Sequence, residues 1–392
     1  MSIYLDHAAT TPLSTEVLEA MLPYLTEHFG NASSPHAAGR QARQGLDEAR
    51  EEIASILGAK PREIVFTGGG SEADNLAIKG AAWAASAKGR HIVTSGVEHK
   101  AVLHACAIME RSGFGVTYVP VDRFGRVDPA DVEAAINEHT SLVSIMYANN
   151  EVGTIQPIAE IGAICRRRGV LFHTDAIQAG GFLPLHVDNL GVDLLSLAAH
   201  KVYGPKGVGA LFVRQGTALL PQIQGGAQER QRRAGTENVA GIVGFARALA
   251  LAQRNAAVRD AENARLAGLR DQLLAGLRDI AGVEPTGHPT ERLPHSASWL
   301  IDRVEGGDLV AALDLEGVEG STGSACTTGS AEPSHVLLAM GNPAQRAHGA
   351  LRLTAGRSTT ADDIDRAAEA VRTAVRRMRE LGVPAPNPVA SA

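Results

Sequence analysis

Apolar residues along this 392-residue chain gather in short runs separated by longer stretches with helical spacing. The runs at 63–67 (EIVFT), 91–95 (HIVTS), 116–120 (VTYVP), 142–147 (LVSIMY), 170–174 (VLFHT) and 209–214 (GALFVR) are short and almost continuously apolar. That is the pattern of strands buried on both faces. Between them, 71–88, 99–111, 131–139 and 159–168 carry helical patterns. Such alternation predicts a mainly parallel sheet with helices on both sides, and ligands on such sheets bind at the carboxyl ends of the strands. A long helical stretch over 238–280 then breaks the rhythm. Beyond it the pattern turns to α+β, with strands near 298–302 and 351–354 and a helix over 361–381. A boundary inside the long helix, near residue 255, divides the chain into a large α/β domain over 16–255 and a small α+β domain. The small domain is made of 1–15 plus 256–383. The tail 384–392 (PAPNPVASA) is expected to be disordered.

Composition narrows the function classes. Hydrophobic residues are 44% and charged ones 20%, which excludes a disordered, collagenous or coiled-coil chain. Lys+Arg 37 against Asp+Glu 43 gives a net charge of −6 with no basic block, so no nucleic-acid partner is expected. No apolar run approaches the roughly 18 residues of a membrane span. The opening MSIYLDHAATTP lacks the basic-then-apolar order of a signal peptide. Three cysteines (Cys106, Cys165 and Cys326) form an odd set without a CxxC pair, which fits a reducing cytoplasm. Only six of the basic residues are lysines (Lys60, Lys79, Lys88, Lys100, Lys201 and Lys206), so amine chemistry has few places to sit.

The segment EIVFTGGGSEADNLAIKG is a strand, three glycines, Ser71 and a helix. Glycines let the backbone approach an anion, and free N–H groups at a helix start favour phosphate. It matches neither GxxxxGK[ST] nor GxGxxG, so no nucleotide site is indicated, and a tight turn capped by Ser71 is the plainer reading. Asp175 follows the apolar VLFHT, where a carboxylate is costly unless it meets a cation or donor; taken alone, it reads as a turn cap. Asn150 and Gln178 end neighbouring segments. Lys201 sits between the apolar VDLLSLAA and a Gly-Pro turn, where partial desolvation favours the neutral amine. A surface lysine with a buried stem is the alternative there. Lys100, after His99 at a strand-to-helix junction, is the only rival. A phosphate loop, a buried Asp and a Lys in this order are what a pyridoxal-phosphate enzyme requires. Cys326 lies among glycines, serines and threonines in GSTGSACTTGSAEPSH, a composition that suits an exposed reactive thiol. Cys106 and Cys165 sit in apolar helical patterns and read as core.

Taken together, YLDHAATTP, FTGGGSEADNLAIKG, VEHKAVL, ANNEVGTIQPI, HTDAIQ, AHKVYGPKGVGALFVR, RAGTEN, GSACTTGSAEPSHVL and LRLTAGRSTT resemble, in order and almost from end to end, the NifS/IscS-like cysteine desulfurases. The resemblance implies a fold type I pyridoxal-phosphate enzyme with a seven-stranded sheet, usually a homodimer. Such enzymes convert L-cysteine to L-alanine and leave sulfur as a persulfide on their own cysteine. By position, Lys201 would bond to the cofactor aldehyde and Asp175 would pair with the ring nitrogen. His99 would stack on the ring and take part in proton transfer, and Asn150 and Gln178 would reach the ring oxygen. Gly70, Ser71 and His200 would bind phosphate, joined by Thr236 from the second subunit. Arg352 would clamp the substrate carboxylate, and Cys326 would be the nucleophile. The Cys326 loop matches the long-loop group, which hands sulfur to iron–sulfur scaffold proteins or other acceptors. Cys326 is also the one candidate metal ligand, through an iron–sulfur cluster. One departure stands out: the family's usual serine two residues before the His-Lys pair is Ala198 here. That places one phosphate hydrogen bond in doubt.

Overall fold

The computed structural model describes residues 2–323 and 332–382. Cys326 and the tail 384–392 lie outside those residues. After a two-residue strand, β1 (Ile3–Tyr4), come the seven strands of the main sheet. These are β2 (Ile64–Thr67), β3 (His91–Ser95), β4 (Gly115–Val119), β5 (Thr140–Ser144), β6 (Leu171–Asp175), β7 (Leu194–Ala198) and β8 (Gly209–Val213). Their spatial order is β2-β8-β7-β6-β5-β3-β4, and only β8 runs antiparallel to its neighbours. Six were visible as apolar runs. The seventh, β7, is the apolar approach to Lys201, and all five of its residues are buried.

Alternate strand residues face opposite cores. On one side, Phe172, Leu195 and Leu197 pack with Phe245 and Leu249 of the helix Val239–Gln253. On the other, Leu194, Leu142 and Leu211 meet Leu76, Val102 and Met109. Both faces are apolar, which is why the strands read as unbroken hydrophobic runs. The helix expected over 71–88 is present as Gly70–Asn75, a π turn over Leu76–Gly80, and Ala81–Ala84.

The long helix expected over 238–280 is two helices, Val239–Gln253 and Ala256–Gly276. Asn255 leaves helical geometry (φ −115°, ψ 102°) and its side chain caps the second helix by accepting from Val258 N. Beyond this break, β9 (Val283–Pro285), β10 (Ser296–Ile301) and β12 (Ala350–Thr354) form an antiparallel sheet, while β11 (Val318–Glu319) pairs with β1. Trp299, Leu351 and Leu353 pack there with Leu269, Leu273 and Val371 in a separate apolar cluster that also takes in Ile3 and Leu5. Among the described residues, no helix is long and apolar enough to cross a membrane.

Candidate active site

The carboxyl ends of β6 and β7, the start of the helix Gly70–Asn75 and the first residues of the chain surround a cavity of ≈ 290 Å³. Ten residues singled out from the sequence line it: Gly70, Ser71, His99, Asn150, Asp175, Gln178, Ala198, His200, Lys201 and Arg352. Thr236 is exposed and lies elsewhere on this chain. Cys326 falls outside the described residues.

Lys201 closes a single 3-10 turn, Ala199–Lys201, that follows β7 directly, so the buried strand delivers the amine to the cavity. Its Nζ donates to the carbonyls of Ala8 (2.5 Å) and Ala9 (2.7 Å). Gln178 Nε2 donates to the same Ala8 carbonyl at 2.9 Å. Lys100, the rival amine, lines the cavity too.

The glycines beside Ser71 have steric reasons. A Cβ on Gly70 would stand 2.2 Å from Ile177 Cδ1, and one on Gly209 would stand 2.6 Å from the Leu197 carbonyl oxygen and 2.8 Å from Gly69 C. Three backbones therefore converge where the helix start opens into the cavity, and only glycine allows it. His200 is held nearby, its Nδ1 3.2 Å from Thr10 Oγ1.

Asp175, the last residue of β6, is buried, and its Oδ1 accepts from Ile177 N at 2.9 Å. Burial raises its pKa to about 6, against the lowering effects of that hydrogen bond and of Lys201. A second buried acid, Asp74, has its pKa pushed well up by burial and by the charge of Asp175. The neighbouring His173 is kept neutral by burial, its pKa lowered to about 3. Its Nδ1 is 2.8 Å from Ser144 Oγ and its Nε2 3.0 Å from Ser196 Oγ. A carboxylate in this setting is stabilised by a cation placed against it.

His99 caps the helix Lys100–Arg111 through its ring: Nδ1 accepts from Ala101 N at 3.1 Å. Burial, then Lys201, lowers its pKa to about 4, so the ring is neutral. With Nδ1 accepting, the proton sits on Nε2, and the ring presents a donor rather than a lone pair.

Arg352, on β12, is 2% exposed. Its Nη2 donates to Asp6 Oδ1 at 2.7 Å, and its Nη1 to the carbonyls of Asn150 (2.7 Å) and Gly323 (3.1 Å). Asp6 lies within YLDHAATTP but carried no separate signal; its role appears only when the chain start docks beside β12. Glu151 and His335 also line the cavity without having been singled out. Cys106 and Cys165 are buried, and burial pushes each thiol up to about 12, as expected for core cysteines. Among the described residues no cluster could hold a metal ion.

These residues fit pyridoxal phosphate: an amine for its aldehyde, a buried carboxylate for its protonated ring, and a side-chain-free helix start for its phosphate. A mainly parallel sheet with this constellation at its strand ends defines a pyridoxal-phosphate enzyme of fold type I. Comparison with known proteins carries this further. The class-V aminotransferase family model matches residues 3–367. A protein of Dictyoglomus turgidum named cysteine desulfurase IscS is 51% identical over 97% of this chain and 96% of its own. A solved NifS-like protein superposes with a TM-score of 0.88 at 36% identity, covering 97% of this chain and all of the other. A structure described as SspA in complex with cysteine gives 0.78 at 37% identity, over 90% of this chain and 98% of that one. The chain belongs to the class-V aminotransferase family, and within it to the cysteine desulfurases.

Proposed function

We propose that this protein converts L-cysteine to L-alanine and passes the sulfur, as a persulfide on Cys326, to an acceptor protein. The observation that carries this reading is the meeting, in one cavity, of the Lys201 amine, the Asp175 carboxylate and the Arg352 guanidinium. Pyridoxal phosphate, when bound, supplies an aldehyde for amines and a ring that accepts an electron pair. Gly70, Ser71 and His200 would hold its phosphate, Asn150 and Gln178 its ring oxygen side, and Thr236 of a second copy would complete the cradle. Asp175 would keep a proton on the ring nitrogen. Lys201, whose amine reaches the cavity from the turn after β7, would hold the cofactor aldehyde and serve as the amine that moves the substrate's α-proton. His99, in the cavity wall, would lie against the ring and offer a donor from Nε2. Arg352 fixes the substrate carboxylate, its charge already balanced by Asp6.

A homodimer fits two exposed features. Leu18, Leu22 and Leu25 share one face of the helix Thr15–Thr26, with Phe29 beyond it, and Thr236 is exposed on its loop. The two apolar clusters on either side of residue 255 support a large domain over 16–255 and a small one over 1–15 plus 256–383. The acceptor is an iron–sulfur scaffold or another sulfur carrier in the cytoplasm, and Cys326 can lend its thiolate to a cluster in transit.

The test is direct. Purified protein loaded with pyridoxal phosphate should release L-alanine and, with a thiol reductant, sulfide from L-cysteine. Lys201→Ala should release neither. A loaded parent protein that forms no alanine refutes the reading.

A further inference from the structure

We propose that His335 is the proton acceptor for the thiol that reacts in this cavity; the inference rests on the desulfurase reading above. Attack on the substrate sulfur requires a thiolate, so the attacking thiol must lose its proton inside the site. His99 is poorly suited to take it. Its Nδ1 is engaged by Ala101 N–H, which leaves the hydrogen on Nε2.

His335 has the opposite arrangement. Its ring lies in the same cavity wall, and its Nε2 is 2.9 Å from the backbone carbonyl oxygen of Glu98. A carbonyl only accepts, so Nε2 carries the hydrogen and the lone pair is left on Nδ1. That nitrogen is buried and has no hydrogen-bond partner among the described residues. An unpartnered buried acceptor is costly, which marks a group kept for a donor that arrives with the reaction.

The surroundings hold the ring in place. Ser334 caps the short helix His335–Ala339 by accepting from Leu337 N, and its hydroxyl donates to Glu151 Oε2. The ionisable groups lining the cavity with His335 are His99, Lys100, Glu151, Lys201, Asp175, His200 and Arg352; Glu98 meets the ring through its backbone carbonyl, and Glu332 is on His335's own segment. Glu98 Oε1 is itself taken up by Ser95 Oγ and Met146 N.

The proton balance closes without another reactant. The attacking S–H bond breaks, its electron pair stays on sulfur, and the proton goes to His335 Nδ1. The new S–S bond forms as the substrate C–S bond breaks, and the β-carbon takes up one proton, which the imidazolium can return. The carbon is reduced as the sulfurs are oxidised.

The test uses the loaded full-length enzyme with His335→Gln, and His335→Ala with added imidazole. Turnover of L-cysteine by His335→Gln should fall by about a hundredfold near neutral pH. The deficit should shrink as pH approaches the roughly 8.5 at which a thiol ionises unaided. Imidazole should restore His335→Ala. Cofactor absorbance, thermal melting and affinity for L-alanine, which has no thiol, should stay at parent values. Turnover within roughly twofold of the parent, a deficit independent of pH, or a matching loss of L-alanine affinity would each overturn the assignment. If the parent itself forms no alanine, the desulfurase reading fails instead.

Discussion

Replacing Ala198 by serine should tighten the hold on the cofactor, and its size follows from the site. Ala198 ends β7 with its side chain in the cavity beside Gly70, Ser71 and His200, and is 3% exposed. Its Cβ stands 3.4 Å from where a side chain on Gly70 would begin, so the missing Gly70 side chain leaves room for one hydroxyl. A hydrogen bond from that hydroxyl to a charged phosphate contributes about 1.5–3 kcal/mol. At about 1.4 kcal/mol per tenfold, affinity should rise roughly ten- to a hundredfold. The assay is an absorbance titration of cofactor-free protein with pyridoxal phosphate, repeated with pyridoxal, which lacks the phosphate. Parent and variant should differ for the first ligand and agree for the second. Equal tightening for both, or none for pyridoxal phosphate, would refute the placement of Ala198 against phosphate.

Asp175→Asn should lower kcat by about a hundredfold or more, because an amide cannot hold the ring proton, and a loss below about tenfold would contradict that role. Arg352→Gln should raise KM for L-cysteine at least roughly tenfold through loss of the charged clamp; an unchanged KM in steady-state assays would exclude it. Glu98 gives a pH prediction. Burial raises its carboxyl to about 8, so the stability it contributes is complete below about pH 4.5 and is lost as pH rises through about 8. Glu98→Gln should therefore lose less stability than the parent across that window in thermal melts at stepped pH, and parallel curves would argue against a buried titrating acid.

Much of this site could be read from the chain because each chemical group ends a strong local signal. Asp175 and Lys201 terminate β6 and the turn after β7, and the three glycines lead into a helix that starts at Gly70; Ser71 lies one residue inside it, and no side chain caps that start, so Ser71 is not the cap its position suggested. Arg352 is different: it sits inside a buried strand of the second sheet, and its role came from resemblance alone. Asp6, Glu151 and His335 were silent, since each acquires meaning only through a partner far along the chain. Arg352 for Asp6, Ser334 for Glu151 and the Glu98 carbonyl for His335 are those partners. The His99 tautomer was equally hidden, fixed by one backbone N–H at the helix start. The break at Asn255 escaped a reading based on periodicity because apolar spacing continues across it, while a cap is a matter of backbone geometry.

Where the sulfur goes separates a desulfurase from a lyase that expels sulfur without an enzyme nucleophile. Loaded enzyme should be mixed with L-cysteine carrying isotopically heavy sulfur, stopped within a single turnover by an alkylating reagent, and digested for peptide mass mapping. One heavy sulfur should appear on the Cys326 peptide for each L-alanine released, and none on Cys106 or Cys165. Label on either buried cysteine, or alanine released with no protein-bound sulfur, would contradict transfer to Cys326.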